Sequence, residues 1–202
     1  IRDRNFSQSK KKITELNKQI DLLKAKQILD EDMVNQLSQL KNVLDLAGRG
    51  GYKVVAARVI NRGSTATFKE TLTIDVGSRS GITKNMTVIS ESGLVGVVKS
   101  VTSNSSIVLL MSDPTFKIGV RIAGTQGIGV VSGQGGNKYL LQLLDATGEI
   151  KVGDVLVARG SEGGRPFVPG VPVGTVTSVQ SNASSITQNA DVEGLSNLDR
   201  IG

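Results

Sequence analysis

The apolar positions near the start of the chain repeat every seven residues and predict a long helix. One narrow apolar face of this kind pairs with another helix in a coiled coil. Gln27 and Asp30 interrupt the two seams at mid-length, as a polar register device or a local phase shift does. The pattern predicts a dimeric coiled coil, and a helix folded back on its own β domain is the alternative. The seam positions are Leu16, Leu23, Leu37 and Leu44, alternating with Ile13, Ile20 and Val34.

Beyond a glycine-rich break at 47–51, the pattern changes to short β-branched segments separated by turn residues. No helical period lies between these segments, and such a succession of strands is typical of antiparallel sandwiches or barrels. The boundary between β domains is soft, because strands of neighbouring barrels can interweave. The sequence predicts a mainly β protein with a basic lead-in and coiled-coil helix over 1–48, a first β domain over 52–130 and a second over 131–202.

Two stretches of the β region repeat each other. VGVVKSVTSNSS at 95–106 and VGTVTSVQSNAS at 173–184 agree at eight of twelve positions, and similar lead-ins precede them at 82–89 and 150–157. The repeated unit is therefore a lead strand, a connection and a Gly-containing strand, which indicates two related β units side by side. A common edge-strand composition is the alternative. The second copy has the longer connection, which spans 160–170.

The composition removes most catalytic chemistry. The 202 residues include no His and no Cys, which excludes Ser-His-Asp and Cys-His nucleophiles, disulfides and nearly all zinc, copper and haem sites. Ser161 lies in a Gly-rich loop that superficially resembles one presenting a serine nucleophile, but no base is at hand to accept its proton. We therefore predict no catalytic, cofactor-binding or metal-binding residues, and a protein that is not an enzyme.

The net charge of +6 is concentrated at the N-terminus, where five cations in the first twelve residues face only Asp3. This segment lacks the base-reading face of a basic-zipper helix, and the six aromatic residues are too sparse for a stacking platform, so nucleic-acid binding is not predicted. Membrane headgroups or solvation explain the cluster better. No apolar run approaches the ~20 residues that span a bilayer. Because the chain begins at Ile1 without Met, we expect a missing upstream segment, with a transmembrane anchor as the candidate.

Three stretches resemble the rod-shape-determining MreC family, and the resemblance extends over essentially the whole chain. They are TIDVGSRSGITKNMTVISESGLVGVV at 73–98, VLLMSDPTFKIGVRI at 108–122 and GSEGGRPFVPGVPVGTV at 160–176. Within them, the family's signature segments correspond to 109–114 and 163–174.

The resemblance implies a single-pass inner-membrane protein whose coiled coil and β domains are extracytoplasmic, on the periplasmic or cell-surface side. It implies two small β-barrels arranged like those of chymotrypsin-like proteases, here without a catalytic site. It also implies homodimers, sometimes filaments. The implied function is a scaffold of the cell-elongation machinery that links the elongation-class transpeptidase, a penicillin-binding protein, and its glycosyltransferase partner with MreD and the MreB-linked complex.

Phe167 is the candidate contact residue for a partner protein. It lies between Pro166 and Pro169 in the longer connection, where two prolines restrict the backbone and can present an aromatic anchor at little ordering cost. The alternative is that Phe167 plugs the second barrel as core. A periplasmic adaptor of an export pump is the other functional hypothesis, but adaptors insert a helical hairpin, whereas this chain has one heptad run.

Overall fold

The structure is a computed structural model that describes residues 12–31, 33–34, 52–144, 149–161, 166–180 and 188–201. The chain divides into two compact units, Ile1–Asn42 and Val43–Gly202. The first unit contains a helix, α1, over residues 12–31 and 33–34. At 1.5 Å per residue, the part over 12–31 is about 30 Å long. The predicted helix is confirmed over these residues, and Leu37 and Leu44 lie outside the described residues.

The second unit contains eleven strands within its described residues, and every pairing between them is antiparallel. This agrees with the predicted absence of helical crossovers, because antiparallel neighbours can be joined by short turns. The strands are β1 Val59–Gly63, β2 Thr71–Ile74, β3 Thr87–Ile89, β4 Leu94–Val101, β5 Ser106–Leu110, β6 Lys117–Ile122, β7 Ile128–Gly133, β8 Lys138–Leu143, β9 Val155–Ala158, β10 Pro172–Gln180 and β11 Asn189–Gly194.

The strands form one five-stranded sheet and one closed barrel. The sheet has the order β1-β2-β5-β4-β3, and the six-stranded barrel has the order β10-β11-β8-β7-β6-β9. The mainly β prediction is confirmed. The expectation of two barrels is not confirmed, because only the second set of strands closes within the described residues, and the likeness to a chymotrypsin-like double barrel stays a prediction.

Two features mark the edge strand β3 of the sheet, which has one neighbouring strand in the part of the chain that the structure describes. This strand has only three residues, which limits the ladder that a sixth neighbour could form. The side chain of Thr87 on β3 is bonded to the connection before β10, through Pro166 and Val168. The domain division at 130/131 stays a prediction; it falls inside β7, whereas the strand pairing changes between Leu110 and Lys117.

The core follows the two-residue period of the strands. Along β6 the burial alternates, and Ile118, Val120 and Ile122 are each 1% exposed. The same alternation in β8 buries Tyr139 and Leu141. Burying one aliphatic side chain of this size contributes about 1.5–3 kcal/mol, so the barrel interior is a principal source of stability for the second unit.

The duplicated unit of the sequence is present in the backbone hydrogen bonds. In both copies the left-handed turn residue donates to the Gly-containing strand, and that strand donates back to the residue after the turn. The turn residues are Asn85, at φ 63°, and Gly153, at φ 94°. The bonds are Asn85 N to Val98 O at 2.9 Å and Val98 N to Met86 O at 2.9 Å, and likewise Gly153 N to Val176 O at 2.8 Å and Val176 N to Asp154 O at 2.9 Å.

The correspondence extends to the order of the strands. Read from β7, the barrel runs β7-β8-β11-β10-β9, and the sheet runs β1-β2-β5-β4-β3 in the same relation. The ladder shifts register at equivalent places, between Val98 and Ser100 in one copy and between Val176 and Ser178 in the other. The sheet therefore matches five barrel strands, and β6 is the additional strand that joins β7 to β9.

Candidate interaction surfaces

The seam of α1 is exposed in the first unit. Ile13 is 58% exposed, Leu16 50% and Ile20 46%. Leu23 and Val34 are also exposed, and both line one shallow groove of the helix surface together with Gln27 and Asp30. The residues that the heptad repeat singled out thus share a face, and that face packs on nothing within the described residues of the unit.

Gln27, one of the two polar residues that interrupt the seam, forms a hydrogen bond within the helix. Gln27 Nε2 donates a 3.2 Å hydrogen bond to Glu31 Oε1 one turn further on. Such a pair supports the helix itself by a few tenths of a kcal/mol. Gln27 and Asp30 thus divide the apolar seam into an N-terminal part and a second part that begins at Val34.

The connection before β10 is tied to the edge of the sheet. Thr87 Oγ1 donates to Pro166 O at 2.8 Å and accepts from Val168 N at 3.0 Å. Ser161 N donates to Phe167 O at 2.9 Å, which closes the connection on itself. We call these contacts the Thr87 clasp. The insertion that distinguishes the second copy therefore joins the sheet to the barrel.

Phe167, the predicted partner contact, lies in the core. Its ring is 9% exposed and packs edge-to-face on Phe116, with centroids 5.5 Å apart and planes at 72°. Edge-to-face aromatic pairs contribute about 0.5–1.5 kcal/mol beyond their buried area. This packing supports the alternative that Phe167 is a plug, and its role as a contact stays a prediction.

Asp113 is a buried centre of hydrogen bonding that no sequence motif singled out. It is 0% exposed. Its Oδ2 accepts from Lys69 N at 2.7 Å and from Glu70 N at 2.9 Å, and its Oδ1 accepts from the backbone and hydroxyl of Thr115. Burial alone would raise the pKa of Asp113, but the Thr115 hydroxyl and these backbone N–H groups together hold the pKa below its usual value.

Glu70, whose N–H donates to Asp113, links the sheet to the barrel through hydrogen bonds of its own side chain. Its carboxylate accepts from the Ser112 hydroxyl and, at 3.0 Å, from Gly136 N in the turn between β7 and β8. A cavity of about 210 Å³ lies beside it. The lining includes Arg62, Lys69, Glu70, Ser112, Asn137 and Asp199.

The serines near these groups do not form a nucleophile of a known type. Ser112 donates its hydroxyl hydrogen bond to the Glu70 carboxylate, which also accepts from the Gly136 N–H. In the described part of the chain, no carboxylate or lysine hydrogen-bonds the hydroxyl of Ser161. Nor do three carboxylates converge as metal ligands anywhere among the residues that the structure describes.

These features define a protein with one closed β-barrel, one open sheet and an exposed apolar helix face within its described residues. Over residues 59–202, the chain matches the family model described as "Rod shape-determining protein MreC, barrel core". The chain belongs to the MreC family of cell shape-determining proteins.

Relatives from distant bacteria support this assignment. The cell shape-determining protein MreC of Streptococcus pneumoniae is 32% identical over 77% of this chain and 58% of its own length. That of Escherichia coli is 36% identical over 65% of this chain and 36% of its own length. The chain thus spans between about a third and three-fifths of these relatives.

Solved structures of the family share the fold. MreC from Pseudomonas aeruginosa has a TM-score of 0.65 and 28% identity, covering 74% of this chain and 96% of that one. MreC of Helicobacter pylori, solved in a complex with the penicillin-binding protein PBP2, has a TM-score of 0.51 and 15% identity, covering 72% of this chain and 92% of the other. No helix within the described residues is long and apolar enough to cross a membrane.

Proposed function

We propose that this chain is a non-enzymatic, extracytoplasmic scaffold of the cell-elongation machinery, which organises peptidoglycan synthesis to maintain rod shape. Membership in the MreC family supports a shape-determining role. It also leaves the export-pump adaptor without a supporting observation. The scaffold dimerises through α1 and binds its partners with the β unit.

The exposed seam of α1 is the observation that carries the proposal. Ile13, Leu16 and Ile20 are about half exposed although they are aliphatic and share one helix face. Burying the exposed half of each against a second copy would contribute about 1 kcal/mol per residue. A coiled coil is the arrangement that buries such a narrow stripe along its whole length.

The β unit is the proposed binding part, with an elongation-class transpeptidase as its partner. The complex of the Helicobacter pylori relative with PBP2 supports this choice. The Thr87 clasp and the Glu70 contacts join sheet to barrel, so the unit can present a fixed surface. MreD and the MreB-linked complex are further proposed partners by family resemblance. A solved relative described as a cell shape-determining filament supports assembly beyond the dimer.

Tethering to the inner membrane is part of the same proposal. The basic cluster in the first twelve residues suits anionic headgroups. A single-pass anchor upstream would place this region on the outer side of the inner membrane. Adding such an anchor is therefore required in a functional test.

The proposal is tested by complementation in a rod-shaped host depleted of its own MreC, with the chain expressed behind the host's anchor. Wild type and Ser161→Ala should restore rods and co-purify the elongation transpeptidase. Leu16→Asp with Leu23→Asp should yield rounded cells. Lys18→Asp with Ala25→Asp places the same charges on the opposite helix face and should complement. Rods from the seam variant, or loss of shape in Ser161→Ala with normal partner binding, would overturn the proposal.

A further inference from the structure

Within the described residues, the sheet of the second unit has no strand at one position that is filled in the barrel. In the barrel, β6 pairs with β7 on one side and with β9 on the other. The corresponding strands of the sheet are β1 and β3, and they are its two edges. The free edge of β1 is therefore the place that a sixth strand occupies in the other copy of the repeat.

This edge is exposed and carries apolar side chains. Ile60 on β1 is 60% exposed, and the preceding segment 52–58 is exposed and in no regular secondary structure. Within that segment Val55 is 48% exposed and Tyr52 39%. An unpaired row of backbone N–H and C=O groups beside apolar side chains is a template for another extended chain.

The segment 52–58 cannot fill the vacancy as a hairpin partner. Its sequence, YKVVAAR, leads directly into Val59 and contains no Gly, Pro, Asn or Asp to form a tight turn. Arg58 is already paired across the sheet, since its N–H donates to Asp75 Oδ1 at 2.8 Å and its carbonyl accepts from Asp75 N at 3.0 Å. The incoming strand must therefore come from elsewhere.

The positive charge along the β1 edge favours a partner strand with acidic side chains. Lys53, Arg58 and Arg62 follow one another along it, and none of them forms an ion pair with a described residue. Arg62 donates to the carbonyls of Leu198 and Ile201 and shares a cavity with Glu70 and Asp199, so Lys53 and Arg58 are the cations that this edge leaves available to a partner. Like charges facing each other across strands are destabilising, so the same cations oppose pairing with a second copy.

We propose that the β1 edge binds an extended, acidic segment of a partner protein, which adds to the sheet as an antiparallel sixth strand. Backbone hydrogen bonds to β1 hold the segment, and its carboxylates lie near Lys53 and Arg58. This docking mode does not depend on the shape-determining role, because it follows from the strand order and the charges alone.

A tethered probe strand provides the test. Arg62 Nη2 lies 2.7 Å from Ile201 O, so a tail after Gly202 starts beside β1. A flexible linker of about twelve Gly/Ser residues gives a tethered strand an effective concentration in the millimolar range. The full chain would carry an eight-residue tail of alternating Glu and Val. Matched tails would carry Lys for Glu, or Pro at alternate positions to remove backbone donors. Hydrogen exchange of the amides of 59–63 is the readout.

The acidic tail should slow exchange of these amides at least tenfold, the Lys tail should act much less, and the Pro tail should have no effect. Arg58→Glu should reverse the preference between Glu and Lys tails, whereas Lys138→Glu on the barrel should not. No protection from the acidic tail, or equal protection from the Pro tail, would overturn the proposal. Protection, without any tail, of the β1 amides that point away from β2 would also overturn it. A second copy occupies the edge if that protection rises with protein concentration, and another part of this chain does so if it does not.

Discussion

The hydroxyl of Thr87 is bonded to both sides of Phe167: it donates to the carbonyl of Pro166 and accepts from the N–H of Val168. A threonine on the edge of the sheet thereby fixes the backbone around an aromatic side chain that is buried against Phe116. The longer connection of the second repeat copy is held by the two hydrogen bonds of the Thr87 hydroxyl, by backbone hydrogen bonds such as that from Ser161 N to Phe167 O, and by the ring contact with Phe116.

Thr87→Val should lower the free energy of unfolding by about 1–3 kcal/mol, because it leaves a donor and an acceptor in a half-buried place without partners. Thr87→Ser keeps the hydroxyl and should lose less. Urea unfolding of the two variants measures the difference. Native-like stability of Thr87→Val would show that the hydrogen bonds of the clasp do not stabilise the connection, and a larger loss in Thr87→Ser would assign the stabilisation to the methyl group.

Phe167→Ala should lower the free energy of unfolding by about 3–5 kcal/mol, as removal of a buried Phe side chain usually does. Val152→Ala, at a side chain 65% exposed, is the control and should change stability little. Calorimetry and pull-down of the elongation transpeptidase together decide the role of Phe167. A near-native melting temperature with weakened pull-down in Phe167→Asp would establish the partner contact instead.

The paired seam substitutions Leu16→Asp and Leu23→Asp should make the chain monomeric, because they place charges at the centre of the proposed dimer contact. Light scattering or analytical ultracentrifugation gives the mass in solution. The Lys18→Asp and Ala25→Asp control should keep the wild-type mass. A wild type that is monomeric at high concentration contradicts the coiled-coil prediction.

Gly153→Ala should destabilise the protein by about 1 kcal/mol, because φ is 94° there and the left-handed region disfavours a Cβ. Space is not the limitation, since no atom lies within 4 Å of the added Cβ. Gly153→Asn, which reproduces the residue of the first copy at Asn85, should cost less. Gly119→Ala, where the space is also open and φ is not positive, should be neutral or stabilising. Thermal unfolding of the three variants separates backbone strain from crowding.

The lowered pKa of Asp113 predicts an acid-sensitive step in stability. Near and below its ordinary pKa of 3.8, the unfolded chain binds a proton at this residue that the folded chain does not. The contribution of Asp113 is therefore fully present above about pH 5 and is lost as the pH falls towards its folded pKa. Asp113→Asn should be less stable than wild type at pH 7, and the gap should narrow between about pH 5 and pH 3. A gap that stays constant over that range would contradict this linkage; urea unfolding at each pH measures it.

The sequence predicted those features whose cause is local. Heptad spacing predicted the helix, two-residue alternation predicted strands such as β6, and a twelve-residue match revealed the duplicated unit. The role of Asp113 was missed because its donors Lys69 and Glu70 lie more than forty residues away. No pattern within 110–116 signals them.

Closure of a sheet is equally invisible to local patterns. The two copies have similar lead and Gly-containing strands, yet one belongs to a barrel and the other to a sheet with two edges. What differs is β6, together with the hydrogen bonds of Thr87 at the edge. The role of Phe167 was ambiguous for the same reason. The neighbouring prolines indicate that its backbone is restricted, but they do not indicate that the ring of Phe116 covers its side chain.

The matching turns at Asn85 and Gly153 have an evolutionary consequence. After duplication of one unit, the two copies accumulate substitutions independently. Here one copy forms part of a closed barrel, and the other forms a sheet with two edges. The barrel copy tolerates few substitutions at its buried positions, such as Val120 and Leu141. The sheet copy can accept substitutions along β1 without disturbing the barrel interior. Divergence after duplication is therefore expected to concentrate along β1 rather than at the buried positions of the barrel.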